Sequence, residues 1–228
     1  MTTLPDHTIT APIADKAALA RIGAAVRRRL AADHSVHKVA VDNAELYAVG
    51  QFLSAGECDH LMATIDRVAR PSSTYEPQGD HKYRTSYSGD VDSSDSFVRM
   101  IERRLADLLG IDLAWGETIQ GQRYLPGQEF QAHFDWFDTR AAYWPAEIER
   151  GGQRSWTAMA YLNDVEEGGA TLFDRIGVSV QPQQGALLLW NNAAPDGRPN
   201  PEVRHAAQPV VRGVKYVITK WFRTRAWG

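Results

Sequence analysis

The chain has 228 residues, enough for one substantial core, and no Pro/Gly-rich linker divides it. Its 25 basic and 28 acidic residues leave a formal charge of -3, without the basic excess of a protein held broadly on nucleic acid. The lone Cys58 rules out an internal disulfide and a cysteine metal cluster, and points to a packing role.

Residues 1–7 lack a basic region followed by a long apolar run, and no later run reaches membrane-spanning length, so a soluble, cytoplasmic protein is expected. Over residues 14–32, Leu19, Ile22, Val26 and Leu30 recur at helical spacing and predict an amphipathic helix, with Arg27, Arg28 and Arg29 at its solvated end. This defines a helical extension, residues 1–47, packed on a main unit of residues 48–228. Ser54 and Glu57 form a capping-box pattern ahead of a second stripe, Leu61, Ile65 and Val68. Residues 71–94, rich in Pro, Gly, Ser and Asp, read as loop with short extended pieces. Phe97, Ile101, Leu105 and Leu108 mark a third helix ending near Gly110.

Past Ile111 the period changes to that of strands, predicted at 118–125, 129–135, 155–162, 170–173, 178–180, 186–190, 203–209 and 214–222. Their number and short connections favour a mainly β fold with supporting helices, built on a double-stranded β-helix of the jelly-roll, cupin-like kind. No Rossmann or P-loop glycine pattern is present, which argues against a dedicated nucleotide cofactor.

His133 and Asp135 are two residues apart, so an extended strand projects both from one side, with Phe130 and Phe134 expected to pack behind them. His205, on a later strand, offers a third ligand. Two histidines and one carboxylate suit a mononuclear iron with open positions for a cosubstrate and oxygen, and zinc also accepts such a set. On these three residues alone, a second reading stands beside the metal site: a hydrogen-bonded core histidine, a turn aspartate and a surface histidine.

The order of several motifs bears on that choice: Arg84-Thr-Ser86, Arg123-Tyr-Leu-Pro-Gly-Gln128, His133-Phe-Asp135, Gly151-Gly-Gln-Arg154, Tyr161-Leu-Asn-Asp-Val165, Glu167-Gly-Gly-Ala-Thr-Leu-Phe173, Gly185-Ala-Leu-Leu-Leu-Trp190, then His205, Lys215, Lys220 and Trp221. Together they resemble the catalytic domain of the prolyl 4-hydroxylase family of iron(II)- and 2-oxoglutarate-dependent dioxygenases, from about Ala48 to Trp221. The resemblance implies iron(II) on His133, Asp135 and His205. It also makes Lys215, ten residues after His205, the anchor for the far carboxylate of 2-oxoglutarate. Without the family, Lys215 would read as a solvated lysine at a strand edge.

By the same resemblance Tyr124 directs a hydroxyl at the cosubstrate and Thr171 adds a smaller polar contact, although both also read as satisfied core residues. Arg154 is projected toward the substrate, with a surface ion pair as its plainer reading, and Trp221 walls the site or simply fills the core. Tyr83, Arg84, Trp136, Phe137, Tyr143 and Trp144 either clasp an extended peptide or pin loops to the barrel.

The implied activity is hydroxylation of a peptidyl proline at C4, with 2-oxoglutarate and O2 as cosubstrates, release of succinate and carbon dioxide, and ascorbate as a candidate reductant. An acidic ligand at position 135 accords with hydroxylation rather than halide transfer. The partner implied is a proline-containing peptide or protein, with free proline or another small molecule as the alternative. A non-enzymatic binding jelly roll is the reading of a different class; nucleic acid is disfavoured by charge.

Overall fold

The computed structural model describes residues 15–72 and 83–228. The expectations for residues 1–7, for position 14 and for loop residues 73–82 lie outside the described residues. Helix α1 (Lys16–Ala31) is capped by the Asp15 side chain and buries Leu19, Val26 and Leu30 as its spacing predicts. Its basic end is solvated at Arg28 and Arg29 as expected, while Arg27 pairs with Glu45 at 2.6 Å and Arg29 also donates to the Asp107 carbonyl. Strands β1 (His37–Lys38) and β2 (Leu46–Val49) follow, a short hairpin absent from the sequence expectations.

The Ser54 capping box forms in full and opens α2 (Ala55–Val68). Two short strands, β3 (Arg70–Pro71) and β4 (Tyr87–Asp90), are the extended pieces of the next loop region. Asp95 caps α3 (Ser96–Leu109), which ends where Gly110 turns left-handed at φ 67°. Its buried stripe is Val98, Ile101, Leu105 and Leu109, rotated from the expected one so that Phe97 and Leu108 sit at the margin.

The remaining strands are β5 (Gln120–Tyr124), β6 (Phe130–His133), β7 (Arg154–Tyr161), β8 (Glu167–Gly168), β9 (Thr171–Phe173), β10 (Val178–Val180), β11 (Leu187–Asn191), β12 (His205–Ala207), β13 (Val210–Arg212) and β14 (Lys215–Arg223). A short helix, α4 (Trp144–Glu149), interrupts the segment expected to be all loop. Eight strands run in the order β1-β2-β11-β7-β14-β5-β4-β3, four in the order β10-β9-β12-β6, and β13 pairs with β8. The architecture is thus mixed helix and sheet, and among the described residues no sheet closes into a barrel. No described helix is long and apolar enough to cross a membrane.

Strand alternation divides the apolar residues between two cores. Trp156, Ala158, Ala160, Leu187, Leu189, Ile218 and Phe222 face the helices, where they meet Leu30, Leu61, Ile65 and Leu105. Their neighbours Met159, Tyr161, Leu188, Trp190 and Val217 face the smaller sheet and meet Phe173 and Val203. Of the candidate site residues, Tyr124, His133, Asp135, Thr171, His205, Lys215 and Trp221 line one cavity on this second face.

Candidate metal and cosubstrate site

The antiparallel pairing of β6 and β12 sets His205 directly opposite His133, and β9 places Phe173 on the other side of His205. Asp135, two residues past the end of β6, completes a group whose ligand-capable atoms all lie within 4.8 Å of one another. Each histidine Nδ1 meets a carbonyl, Gln131 at 2.8 Å for His133 and Val203 at 3.0 Å for His205. A carbonyl only accepts, so each Nδ1 carries the proton and each Nε2 presents a lone pair, the tautomer a metal requires.

Burial, with His205 alongside, pushes the His133 pKa down to about 3, so the ring is neutral at ordinary pH. Burial alone would raise the Asp135 carboxyl, but the groups around it, the Arg154 charge and a hydrogen bond from Thr157 among them, outweigh it and keep the carboxylate ionised. Phe130 stacks on His133 with ring centroids 3.6 Å apart, as expected of a backing residue. Phe134 does not: it is 43% exposed and faces an outer groove with Trp136, Pro199, Pro201 and Val203. Residue alternation turns it away from the face shared by His133 and Asp135.

A narrow cavity of about 40 Å³ joins this triad to a wall of β5 and β14. The register pairs Lys215 with Tyr124, Val217 with Gln122 and Thr219 with Gln120, and all six line the cavity. The wall is braced by Tyr124 Oη donating to Gln122 Oε1 at 2.7 Å and Gln122 Nε2 donating to Thr219 Oγ1 at 3.0 Å. Lys215 is 1% exposed, lies between the rings of Tyr124 and Tyr161, and reaches a hydroxyl, Thr171 Oγ1, at 3.5 Å. Thr171 in turn accepts from Tyr161 Oη at 2.7 Å.

Among the described residues no carboxylate pairs with Lys215, and burial pushes its pKa down to about 7. Arg84 also lines the cavity and spends its hydrogen bonds on the neutral oxygens of Ser86 and Gln120. Arg84, and Lys215 once it takes up its proton, therefore face a cavity with one carboxylate, an imbalance that a small dianion would offset. Gln120, Gln122 and Thr219 belong to no motif named from the sequence; the period-two faces leading to Tyr124 and from Lys215 are the signal that points to them.

Trp221 lines the same cavity, and the Arg154 guanidinium lies over it at 3.9 Å, one layer farther out. Both Nε and Nη2 of Arg154 donate to Glu117 at 2.7 Å, so this arginine sits in a largely buried ion pair. Arg223 shares Glu117 and reaches Glu147 on α4 at 2.6 Å, and the Gln153 side chain bonds both backbone groups of Phe137. The aromatic segment 136–152 is thus fastened to the sheet. On the helix side, Lys220 pairs with Glu102 at 2.9 Å and donates to the Glu117 carbonyl at 2.6 Å. A Cβ at Gly116 would come within 2.4 Å of the Lys220 side chain, so a glycine fits there.

The family profile of the 2OG-Fe(II) oxygenase superfamily matches residues 119–223. Prolyl 4-hydroxylase subunit alpha-1 of Gallus gallus is 34% identical over 177 residues, covering 73% of this chain and 34% of the relative. Prolyl 4-hydroxylase 5 of Arabidopsis thaliana is 32% identical over 199 residues, covering 75% of this chain and 65% of the relative. The chain therefore spans less than two thirds of the length of these curated relatives. Among solved structures, a viral collagen prolyl hydroxylase from Paramecium Bursaria Chlorella virus-1, in complex with 2OG, is 26% identical with a TM-score of 0.62, covering 78% of this chain and 95% of that one. A Pseudomonas putida prolyl-4-hydroxylase shares the fold at 20% identity and a TM-score of 0.56, covering 89% of this chain and 98% of that one.

Proposed function

The chain belongs to the 2OG-Fe(II) oxygenase superfamily, and from that premise we propose that it hydroxylates a peptidyl proline at C4, using iron(II), 2-oxoglutarate and O2. The observation that carries this reading is one cavity in which a neutral His133, an ionised Asp135 and His205 converge beside the cations Lys215 and Arg84. The donor set and its tautomers fit a divalent metal, and the unbalanced cations fit a dianionic cosubstrate. When bound there, iron with 2-oxoglutarate supplies the oxidising chemistry and releases succinate and carbon dioxide, with ascorbate as reductant.

In this reading His133, Asp135 and His205 hold the metal and Lys215 receives the far carboxylate. Tyr124 and Thr171 close the polar wall around that carboxylate, and their existing bonds to Gln122 and Tyr161 hold both hydroxyls in place. Trp221 shapes the floor on which the reacting ring is oriented. Arg154, fixed by Glu117 above Trp221, sets the charge at the rim where a peptide carbonyl would be bound.

Several finer assignments accompany the activity. The two open sheets are proposed as the halves of a double-stranded β-helix, a reading supported by the apolar core between them. Residues 48–228 are proposed as the main unit with 1–47 as an extension; α1 contacts α3 and β7, while β2 crosses the boundary to pair with β11. A cytoplasmic setting is proposed as the finer reading of localisation.

The test is substrate-dependent succinate formation across proline-containing peptides, cell-extract proteins and free amino acids, with mass spectrometry locating the added oxygen. A gain of one oxygen on a peptidyl proline is expected. Reaction with free proline alone would transfer the assignment to an amino-acid hydroxylase. Absence of both succinate and a charge-transfer band on anaerobic addition of iron(II) and 2-oxoglutarate would remove the dioxygenase reading.

A further inference from the structure

We propose that Thr157 and Asn192 form a one-way hydrogen-bond relay that orients Asp135 and so sets the affinity of the triad for its metal; this rests on the metal-site reading above. Asp135 lies beyond the end of β6, so strand pairing does not fix its side chain. Its carboxylate accepts a 2.7 Å hydrogen bond at Oδ2 from Thr157 Oγ1, on β7 of the larger sheet. Among the described residues this is the hydrogen bond that holds the Asp135 side chain, and it reaches across from the sheet opposite the two histidines.

The direction of that bond is imposed from behind. Asn192 Nδ2 donates to the same Thr157 Oγ1 at 2.9 Å. A threonine hydroxyl has one proton; an amide nitrogen only donates and a carboxylate only accepts, so the Thr157 proton must point at Asp135. Asn192 is itself locked, its backbone N–H donating to Ser155 at 2.8 Å and its carbonyl accepting from Asn200 at 3.0 Å.

The orientation of the Asn192 amide comes at a cost. Asn192 is 2% exposed and its Oδ1 is buried with no hydrogen-bond partner, whereas Thr157 is 0% exposed. A buried acceptor left unmet calls for an explanation. Turning the amide over would present its oxygen to Thr157 and draw the hydroxyl proton away from Asp135. Keeping the nitrogen inward sacrifices one acceptor and keeps the carboxylate held, the kind of outer contact that tunes a ligand toward its metal.

Thr157 and Asn192 are therefore positioning residues, and cobalt(II) serves as the probe. The full chain and its T157V, T157S, N192L and T157V/N192L variants would be titrated with cobalt(II), reading dissociation constant and visible d–d spectrum, with circular dichroism as the check on folding. T157V should weaken cobalt(II) binding by about 10–100-fold and alter the spectrum, while T157S stays close to the parent. N192L should weaken binding, and should add nothing in the T157V background, because it acts through that hydroxyl.

An unchanged dissociation constant and spectrum in T157V would overturn the relay, as would a full additional effect of N192L in the double variant. If T157V does not fold, N192L alone carries the test: loss of affinity supports the relay and parental affinity sinks it. Cobalt(II) binding that is absent in the parent chain, or that survives D135A undiminished, would instead bring down the metal-site reading, and this inference with it.

Discussion

At Lys215, burial and charge are most at odds. Its folded pKa is near 7 against an ordinary 10.5, so between those values the unfolded chain holds the extra proton and the ligand-free protein gains stability as pH rises. A bound carboxylate reverses the preference, since the charged ammonium then has a partner. Cosubstrate binding above pH 7 should therefore take up close to one proton and weaken as pH climbs; calorimetry in buffers of different ionisation enthalpy measures both. Lys215→Met should lose about ten- to a hundredfold in 2-oxoglutarate affinity, the worth of a charged hydrogen bond, and lose the proton uptake, while iron binding holds. Asp135→Ala should abolish turnover with a folded chain, checked by succinate assay beside circular dichroism. The triad was legible because a two-residue spacing has one meaning on a strand. The exposure of Phe134 was not, because alternation says which way a side chain turns and nothing about what covers it.

Helix ends were the most legible elements, since a cap is written in residues that touch. Ser54 and Glu57 satisfy each other's backbone donors as their spacing implied, and Ser54→Ala should cost about 1 kcal/mol by urea denaturation. The β1–β2 hairpin and α4 escaped notice because each is too short to show a period, and their places are fixed by distant partners such as β11 and Arg223. Lys220 and Glu102 give the element scale its largest expected effect. Their pair joins β14 to α3 with both side chains almost wholly buried, so Glu102→Ala leaves an ammonium stranded and should destabilise the protein by about 3–5 kcal/mol. Combining Glu102→Leu with Lys220→Met, which removes both charges, should recover most of that loss in the same denaturant titration.

Across the whole molecule, the predicted strands from 118 onward appear in order, but which strands neighbour which is a property of long-range pairing that no local pattern carries. The site spans that pairing: His133 and His205 lie on the smaller sheet, Lys215 and Thr219 on the larger. A metal and a dianion bound between them should stabilise the fold by mass action, by about 2.7 kcal/mol at a hundredfold excess over the dissociation constant, visible as a rise in melting temperature that a chelator reverses.

Strand β14 sits between β7 and β5 in the larger sheet, yet it follows both of them, and every other strand, in the chain. Until residues 215–223 leave the ribosome, β7 and β5 therefore lack the strand that lies between them in the finished sheet. That one segment delivers Lys215, Trp221 and the Lys220 that meets α3. Completion of the sheet and arrival of the proposed cosubstrate anchor therefore depend on the same segment, so a nascent chain that has already made His133, Asp135 and His205 still lacks Lys215.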